Sequence, residues 1–281
     1  MDIRQLIESA SQQLSTISDS PRLDAEILLA HSLGKARSYL LTWPENIPQK
    51  AQLQQFQQLL QQRLQGHPIA HLTGEREFWS LPLQVSPDTL IPRPDTELMV
   101  EQILAHYPTR HPTEAAIQLL DLGTGSGAIA LALAHERPSW QITASDQSEA
   151  ALRVAQRNAK RLGISVEFIH SDWFSALQGR RFDVIASNPP YIPQSDPHLS
   201  QGDVRFEPLS ALASGDDGLD AIRHICATAP GFLKTGGQLF IEHGYDQKTE
   251  VNDIFHKNHF HSIQQYHDLS GNPRLTSGIF S

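Results

Sequence analysis

Four residues, Asn188-Pro189-Pro190-Tyr191, end the apolar run FDVIAS. They join a side-chain amide, a doubly rigid turn and an aromatic ring. Proline fixes φ and has no N–H to donate, and a residue that precedes proline is held out of the helical region. Such a tetrad can simply end a strand, its Asn satisfying a local turn. It can also form a claw for a planar N–H₂ group. In that case the Asn188 side-chain oxygen and the Pro189 carbonyl each accept one N–H, and Tyr191 packs on the planar face. What else the chain places beside the tetrad decides between the two.

A second stretch, LLDLGTGSGAIALALA, carries an apolar run into Gly123-Thr124-Gly125-Ser126-Gly127 and then into a helical pattern. Glycines allow positive φ and close backbone approach, and the first N–H groups of the helix face whatever lies above the loop. Nineteen residues past Gly127 stands Asp146, where the apolar run QITAS ends. A carboxylate there can accept both hydroxyls of a ribose. The pattern also fits G-x-G-x-x-G/A, so a dinucleotide-binding oxidoreductase competes. Asp121, at the loop entry, suits a cationic ligand better than a pyrophosphate. Further on, SDWF offers Asp172 to receive the exocyclic amine of adenine and Trp173 as a flat apolar wall. The plain alternative for that pair is a loop acid beside a packed aromatic. Together these residues imply a ligand with an adenosine and a positive centre but no phosphates, which is S-adenosylmethionine.

These residues need a scaffold that brings distant loops together. From about residue 97 onward helical and strand patterns alternate. Strands are expected at 117–121, 141–145, 166–170, 182–187 and 237–242, with two more near 260–267 and 275–280. Helices are expected at 96–106, 126–136, 148–162, 217–230 and 246–257. Such alternation predicts an α/β, doubly wound, Rossmann-like sheet with helices on both faces. Its ligands bind beyond the carboxyl ends of the strands, where strand order reverses. In the order 3-2-1-4 the first and fourth strands are neighbours. The glycine loop and the Asn-Pro-Pro-Tyr turn then flank one crevice, with the methyl donor on one side and the N–H₂ group on the other.

Residues 1–72 read as a small helical bundle. Ile3, Leu6, Ile7, Ala10 and Leu14 share one helical face. Ser20-Pro21 reads as an N-cap with proline at the first helical position, and Gly34 as the close of that helix. The glutamine-rich stretch 49–65 keeps an apolar stripe of Leu53, Phe56, Leu60 and Leu64, an amphipathic helix with a solvated face. Residues 73–96 read as a hairpin and a proline-rich connector, and 97–281 as the catalytic domain.

Composition narrows the classes. The chain has 281 residues and a formal net charge of −9, which argues against gripping a phosphate backbone as the main task. No apolar run reaches the roughly 20 residues that span a bilayer, and the first residues lack a signal-peptide pattern. The single Cys226 excludes an internal disulfide and suits a reducing compartment, so a cytoplasmic location is expected. Fourteen histidines show no ligand-like set. His67 and His71 are separated by Pro68 with no HExxH pattern, and no metal is expected.

The motifs DLGTGSG, SDWF and SNPPYI, with the connector REFWSLPLQVSPDTLIPRPDTE, resemble the peptide chain release factor glutamine methyltransferases over essentially the whole chain. QGDVRFEPLSAL, residues 201–212, is similar to the family's segment after the catalytic turn. The resemblance implies an S-adenosylmethionine-dependent enzyme that methylates the side-chain nitrogen of the glutamine in the GGQ motif of bacterial release factors, in support of translation termination. It implies that Gly123 to Gly127, Asp146 and Trp173 contact the cofactor and that Asn188 to Tyr191 hold the glutamine. It also implies that the N-terminal bundle helps engage the release factor. Asn188 is expected as a positioner and charge stabiliser that also borders the cofactor, with no general base. Arg93 and Glu207 are expected either as ion-pair members or as a wall of the site.

The same claw suits adenine-N6 DNA and RNA methyltransferases, because adenine also presents an amine on a conjugated ring. Against that rival, residues 192–220 carry Asp196, Asp203, Glu207, Asp216, Asp217 and Asp220 with Arg205 as their single cation, so direct nucleic-acid binding is not expected. A non-catalytic module that senses the cofactor and holds a partner is the remaining class.

Overall fold

The structure is a computed structural model that describes residues 1–108 and 116–281. It divides into two compact units. One comprises Met1–Glu75 with Gln201–Phe206, and the other Arg76–Ser200 with Glu207–Ser281.

The first unit holds five helices, α1 (Ile3–Leu14), α2 (Pro21–Leu33), α3 (Arg37–Thr42), α4 (Lys50–Leu64) and α5 (Ile69–Thr73). A capping box between Asp2 and Gln5 starts α1. The predicted face of α1 is fully inside, against Leu28 and Leu29 of α2 and Phe56 of α4. Helix α2 begins at Pro21 and ends at Gly34 as expected, but Ser20 makes no side-chain cap bond. Arg63 of α4 is buried and ties the unit together. It donates to Asp24 at 2.9 Å, to the His67 carbonyl at 3.1 Å and to Asp203 at 3.0 Å. Arg205 donates to the Gln65 carbonyl, and Phe206 packs its ring on His67. These bonds place 201–206 with the helices, although the sequence reads it as part of the segment after the claw.

The second unit opens with the hairpin β1 (Glu75–Phe78) and β2 (Leu81–Gln84). There follow α6 (Glu97–His106), β3 (Gln118–Leu122), α7 (Ala128–Glu136), β4 (Gln141–Asp146), α8 (Glu149–Leu162), β5 (Glu167–His170) and β6 (Phe182–Ser187). The chain then forms α9 (Asp220–Thr228), β7 (Leu233–Glu242), α10 (Lys248–Lys257), β8 (His261–His267) and β9 (Pro273–Ile279). The seven-stranded sheet runs β5-β4-β3-β6-β7-β9-β8, parallel from β5 to β7 and antiparallel at β9 and β8. The first and fourth strands of the alternation, β3 and β6, are therefore neighbours at the switch point. The central strands are mostly apolar, as in VIA of β6, with Asp121 of β3 a buried exception.

Two apolar layers cover the sheet. One contains Met99, Ile103 and residues 128–134 of α7, and Phe78 of the hairpin belongs to it. The other contains Phe174, Phe182, Ile222, Ile225 and Phe255. Cys226 lies fully buried in this second layer, where burial pushes its thiol up. The hairpin is pinned by Asn158 of α8, which accepts from the Gln84 N–H at 2.7 Å and donates to the carbonyls of Gln84 and Ser126, both at 2.9 Å. One buried amide thus joins the connector to the glycine loop. Among the described residues no helix is long and apolar enough to cross a membrane.

Candidate active site

The carboxyl ends of β3 and β6 are tied directly. Ser187 Oγ donates to the Leu122 carbonyl at 2.7 Å, so the glycine loop and the Asn-Pro-Pro-Tyr turn leave the sheet side by side. A cavity opens above them. Its walls include Gly123, Thr124, Gly125, Ser126, Asp146, Trp173, Asn188, Pro189 and Pro190, with Thr89, Arg93 and Thr96 from the connector.

The glycine loop is built by hydrogen bonds to its neighbours. Gly123 and Thr124 N–H groups both donate to the Ser145 carbonyl at 2.9 Å. Asp146 accepts from Gly125 N–H at 2.9 Å and from Ser148 N–H at 2.8 Å. Burial raises its carboxyl above the ordinary aspartate value, against these bonds. Its carboxylate still has lone pairs to offer a diol on the cavity side. Gly127 does not line the cavity. It caps α7 with φ of +86°, and a Cβ there would stand 3.2 Å from the Cβ of Ala155, so this glycine permits α7 to approach α8.

Asp121 is fully buried below the loop and outside the cavity wall. Its Oδ2 accepts from Thr124 Oγ1 at 2.6 Å and from the Ala130 N–H at 3.1 Å, while Oδ1 has no hydrogen-bond partner among the described residues. Burial pushes this acid up to about 6. Its contacts are with the loop, and the expectation that it faces a cationic ligand directly does not match its position.

The two residues expected beside an adenine separate. Trp173 lines the cavity in a left-handed conformation, φ +47°, with its carbonyl accepting from Ser171 Oγ at 2.7 Å. Asp172 is exposed and absent from the cavity wall, since the turn that brings Trp173 inward carries its neighbour outward. Ser171 takes the inner position instead.

In the claw, Asn188 is half-buried and its Nδ2 donates to Thr96 Oγ1 at 3.1 Å. Tyr191 stands beside the cavity wall, its hydroxyl raised by burial and then by the nearby Glu242. The backbone beyond the claw is clamped. The Tyr191 carbonyl accepts from Gln247 Nε2 at 2.9 Å, and Ile192 exchanges backbone bonds with Leu212 and Ser214, both at 2.9 Å. Thr96, Glu242 and Gln247 have no sequence signature, because each reaches the claw from another element.

Arg93 and Glu207 pair with one another, and Glu207 also accepts from the Ile91 N–H at 2.9 Å. Arg93 lines the cavity while the Glu207 side chain is fully buried, so the two expected roles coexist. The acidic run after the claw is less negative than its sequence count. Glu207 is offset by Arg93, Asp203 by Arg63, and both Asp217 and Asp220 by Arg223. Three of these cations come from outside residues 192–220, and the acidic-rim argument against a phosphate backbone loses strength accordingly.

Comparison with known proteins supplies an independent line. Residues 5–74 match the family described as PrmC N-terminal domain, and residues 95–202 match the methyltransferase small domain. The chain is 50% identical over 282 residues to a release factor glutamine methyltransferase of Salmonella typhimurium, covering 100% of both. It is 53% identical over 267 residues to the release factor glutamine methyltransferase of Pseudomonas aeruginosa, covering 94% of this chain and 95% of that protein. Among solved structures, the 16S rRNA N2 G1207 methyltransferase of T. thermophilus, in complex with AdoMet and guanosine, aligns with a TM-score of 0.53 at 20% identity. That alignment covers 74% of this chain and 50% of that one and shows a likeness of fold. With half of all positions identical along its full length, the chain belongs to the release factor glutamine methyltransferase family.

Proposed function

We propose that this protein transfers a methyl group from S-adenosylmethionine to the side-chain amide nitrogen of the glutamine in the GGQ motif of peptide chain release factors, leaving S-adenosylhomocysteine. The observation that carries the reading is the Ser187–Leu122 bond, which sets the glycine loop and the claw at one cavity.

The residues fit the cofactor. The loop from Gly123 to Ser126 presents backbone without bulky side chains, Asp146 presents a carboxylate for a ribose diol, and Trp173 presents a flat apolar wall. When bound, S-adenosylmethionine supplies an electrophilic methyl carbon on a positively charged sulfur. Everything else falls to the protein. An amide nitrogen is a poor nucleophile because its lone pair is shared with the carbonyl. Asn188 Oδ1 and the Pro189 carbonyl accept the two N–H groups and fix the nitrogen in position. Such alignment contributes about 7–11 kcal/mol in well-oriented reactions. As the nitrogen gains positive charge these hydrogen bonds strengthen, which favours the transition state over the ground state. Asn188 is no base, and none is required before attack: methylation itself acidifies the N–H, and that proton then passes to water, leaving the neutral N-methyl amide. The helical unit serves to engage the release factor, and the site of action is the cytoplasm.

The test is methyl transfer from labelled S-adenosylmethionine to a purified bacterial release factor, its GGQ Gln→Ala variant and duplex DNA. Label on the intact factor alone is expected. Label on DNA, or on both forms of the factor, would reject the substrate assignment.

A further inference from the structure

Resting on the cofactor part of that reading, we infer that Ser171 is a positioning residue which, acting through the Trp173 backbone, sets the aromatic wall relative to Asp146 and so fits the site to the cofactor's nucleoside. A nucleoside offers two features to recognise, a ribose diol and a flat base. The carboxylate for the first ends β4, and the wall for the second follows β5. Ser171 lies between them and is bonded to both.

Ser171 is the first residue beyond β5 and is buried, with 4% exposed. His170, the last residue of β5, pairs with Asp146 in the parallel register. The Ser171 N–H then donates to the Asp146 carbonyl at 3.0 Å. The side chain works in the other direction. Ser171 Oγ donates to the Trp173 carbonyl at 2.7 Å and accepts from the Ala176 N–H at 3.1 Å. A carbonyl only accepts and a peptide N–H only donates, so both roles are fixed. The single hydroxyl hydrogen is spent on Trp173. Ser171 lines the cavity, yet it has no side-chain hydrogen left to give a ligand.

Trp173 needs this hold. Its φ of +47° lies in the left-handed region, which a bulky residue enters only at a cost. Such a conformation persists where the surroundings over-determine it. On the far side, Phe174 is buried and stacks on Phe232 with ring centroids 4.7 Å apart. The Asp172 carbonyl accepts from the Ser175 N–H at 3.0 Å, which closes the turn around Trp173. The core thus anchors the chain after Trp173, and the Ser171 hydroxyl anchors Trp173 itself. Ser171→Ala removes the hydroxyl and keeps the N–H that bonds Asp146. The Trp173 peptide is then free to relax and carry the indole off the wall, while the ribose acid stays in place.

The experiment is titration calorimetry on the full-length protein, on Ser171→Ala, on Trp173→Ala and on the double variant. Two ligands are used. One is S-adenosylmethionine, and the other is 5′-methylthioadenosine, which keeps the nucleoside and lacks the amino acid. Ser171→Ala is expected to weaken both by the same factor, about five- to tenfold. In the Trp173→Ala background the same change is expected to add less than about twofold, because nothing is left for Ser171 to position. Undiminished affinity in Ser171→Ala overturns the inference. So does a loss confined to S-adenosylmethionine, and so do losses that multiply in the double variant. A second readout needs no ligand. Acrylamide quenching of Trp173 fluorescence, isolated by difference from Trp173→Phe with and without Ser171→Ala, is expected to rise when the hydroxyl is removed. Unchanged quenching overturns the inference. If the unsubstituted protein binds neither ligand while the quenching rises, the cofactor reading falls and the Ser171–Trp173 relation stands.

Discussion

The Gly125 N–H donates to Asp146 Oδ2 at 2.9 Å, so the acid expected to hold a ribose also holds the loop opposite it. The two tasks are linked. Asp146→Ala removes the acceptor for a diol and releases the middle of the glycine loop. Lost hydrogen bonds to a charged group cost about 1.5–3 kcal/mol, or roughly 10- to 100-fold in affinity. Titration calorimetry with S-adenosylmethionine should show that weakening, and the release factor KM should change far less. An unweakened cofactor Kd would remove Asp146 from the cofactor side.

Asp121 makes the loop sensitive to pH in stability. Burial raises its pKa in the folded state to about 6, above the ordinary aspartate value. For an acid raised in this way, the native state binds the extra proton, so this contribution is fully present below about pH 4. It is lost as pH rises through about 6. A gap of about two pH units corresponds to about 3 kcal/mol. Asp121→Asn keeps an oxygen for Thr124 and Ala130 and removes the buried charge. It should be more stable than the unsubstituted protein at pH 8, by urea melts, and the difference should shrink toward pH 4. A less stable variant at pH 8 would mean that the charge itself supports the loop.

The adjacency of β3 and β6 was legible because alternating patterns with short connections admit few topologies, and both loops carry glycine or proline at marked positions. Asp172 misleads for a local reason. The turn that points Trp173 inward is left-handed at that residue, and a sequence pattern does not reveal which of two neighbours faces the cavity. Thr96, Glu242 and Gln247 are invisible for a different reason. Each meets the claw through register between elements tens of residues apart, and none has a motif of its own. The same holds for Arg63, whose bond to Asp203 spans 140 residues and moves 201–206 into the helical unit.

Asn188→Ala separates positioning from binding. The substitution leaves the glycine loop, Asp146 and Trp173 in place, so cofactor affinity should fall little. The acceptor loses the hydrogen bond that strengthens as charge develops. By comparison with loss of a preorganised oxyanion-hole donor, kcat should drop on the order of 10²-fold or more. Single-turnover transfer to the release factor measures it, and a near-normal rate would assign positioning to the backbone carbonyl of Pro189 alone.

Gly218 tests the clamp beneath the claw from the far side. It adopts φ of +78°, and a Cβ built there would lie 2.2 Å from the Tyr191 carbonyl oxygen and 2.8 Å from Gln247 Nε2. The Gln247 amide bridges the Tyr191 and Asp217 carbonyls at 2.9 and 3.3 Å, so the added methyl collides with the group that holds the tyrosine backbone. Gly218→Ala therefore combines left-handed strain with overpacking, a cost of about 1–3 kcal/mol from the packing part. The backbone can relieve it only by moving Tyr191, because Gln247 is anchored by its own bond to the Gly244 N–H at 2.9 Å. The expected result is a lower melting temperature together with a fall in kcat, while cofactor affinity stays near normal. Gln247→Leu should reproduce the fall in kcat without the left-handed strain. A Gly218→Ala protein that is destabilised but turns over at the normal rate would show that the claw keeps its geometry without the clamp.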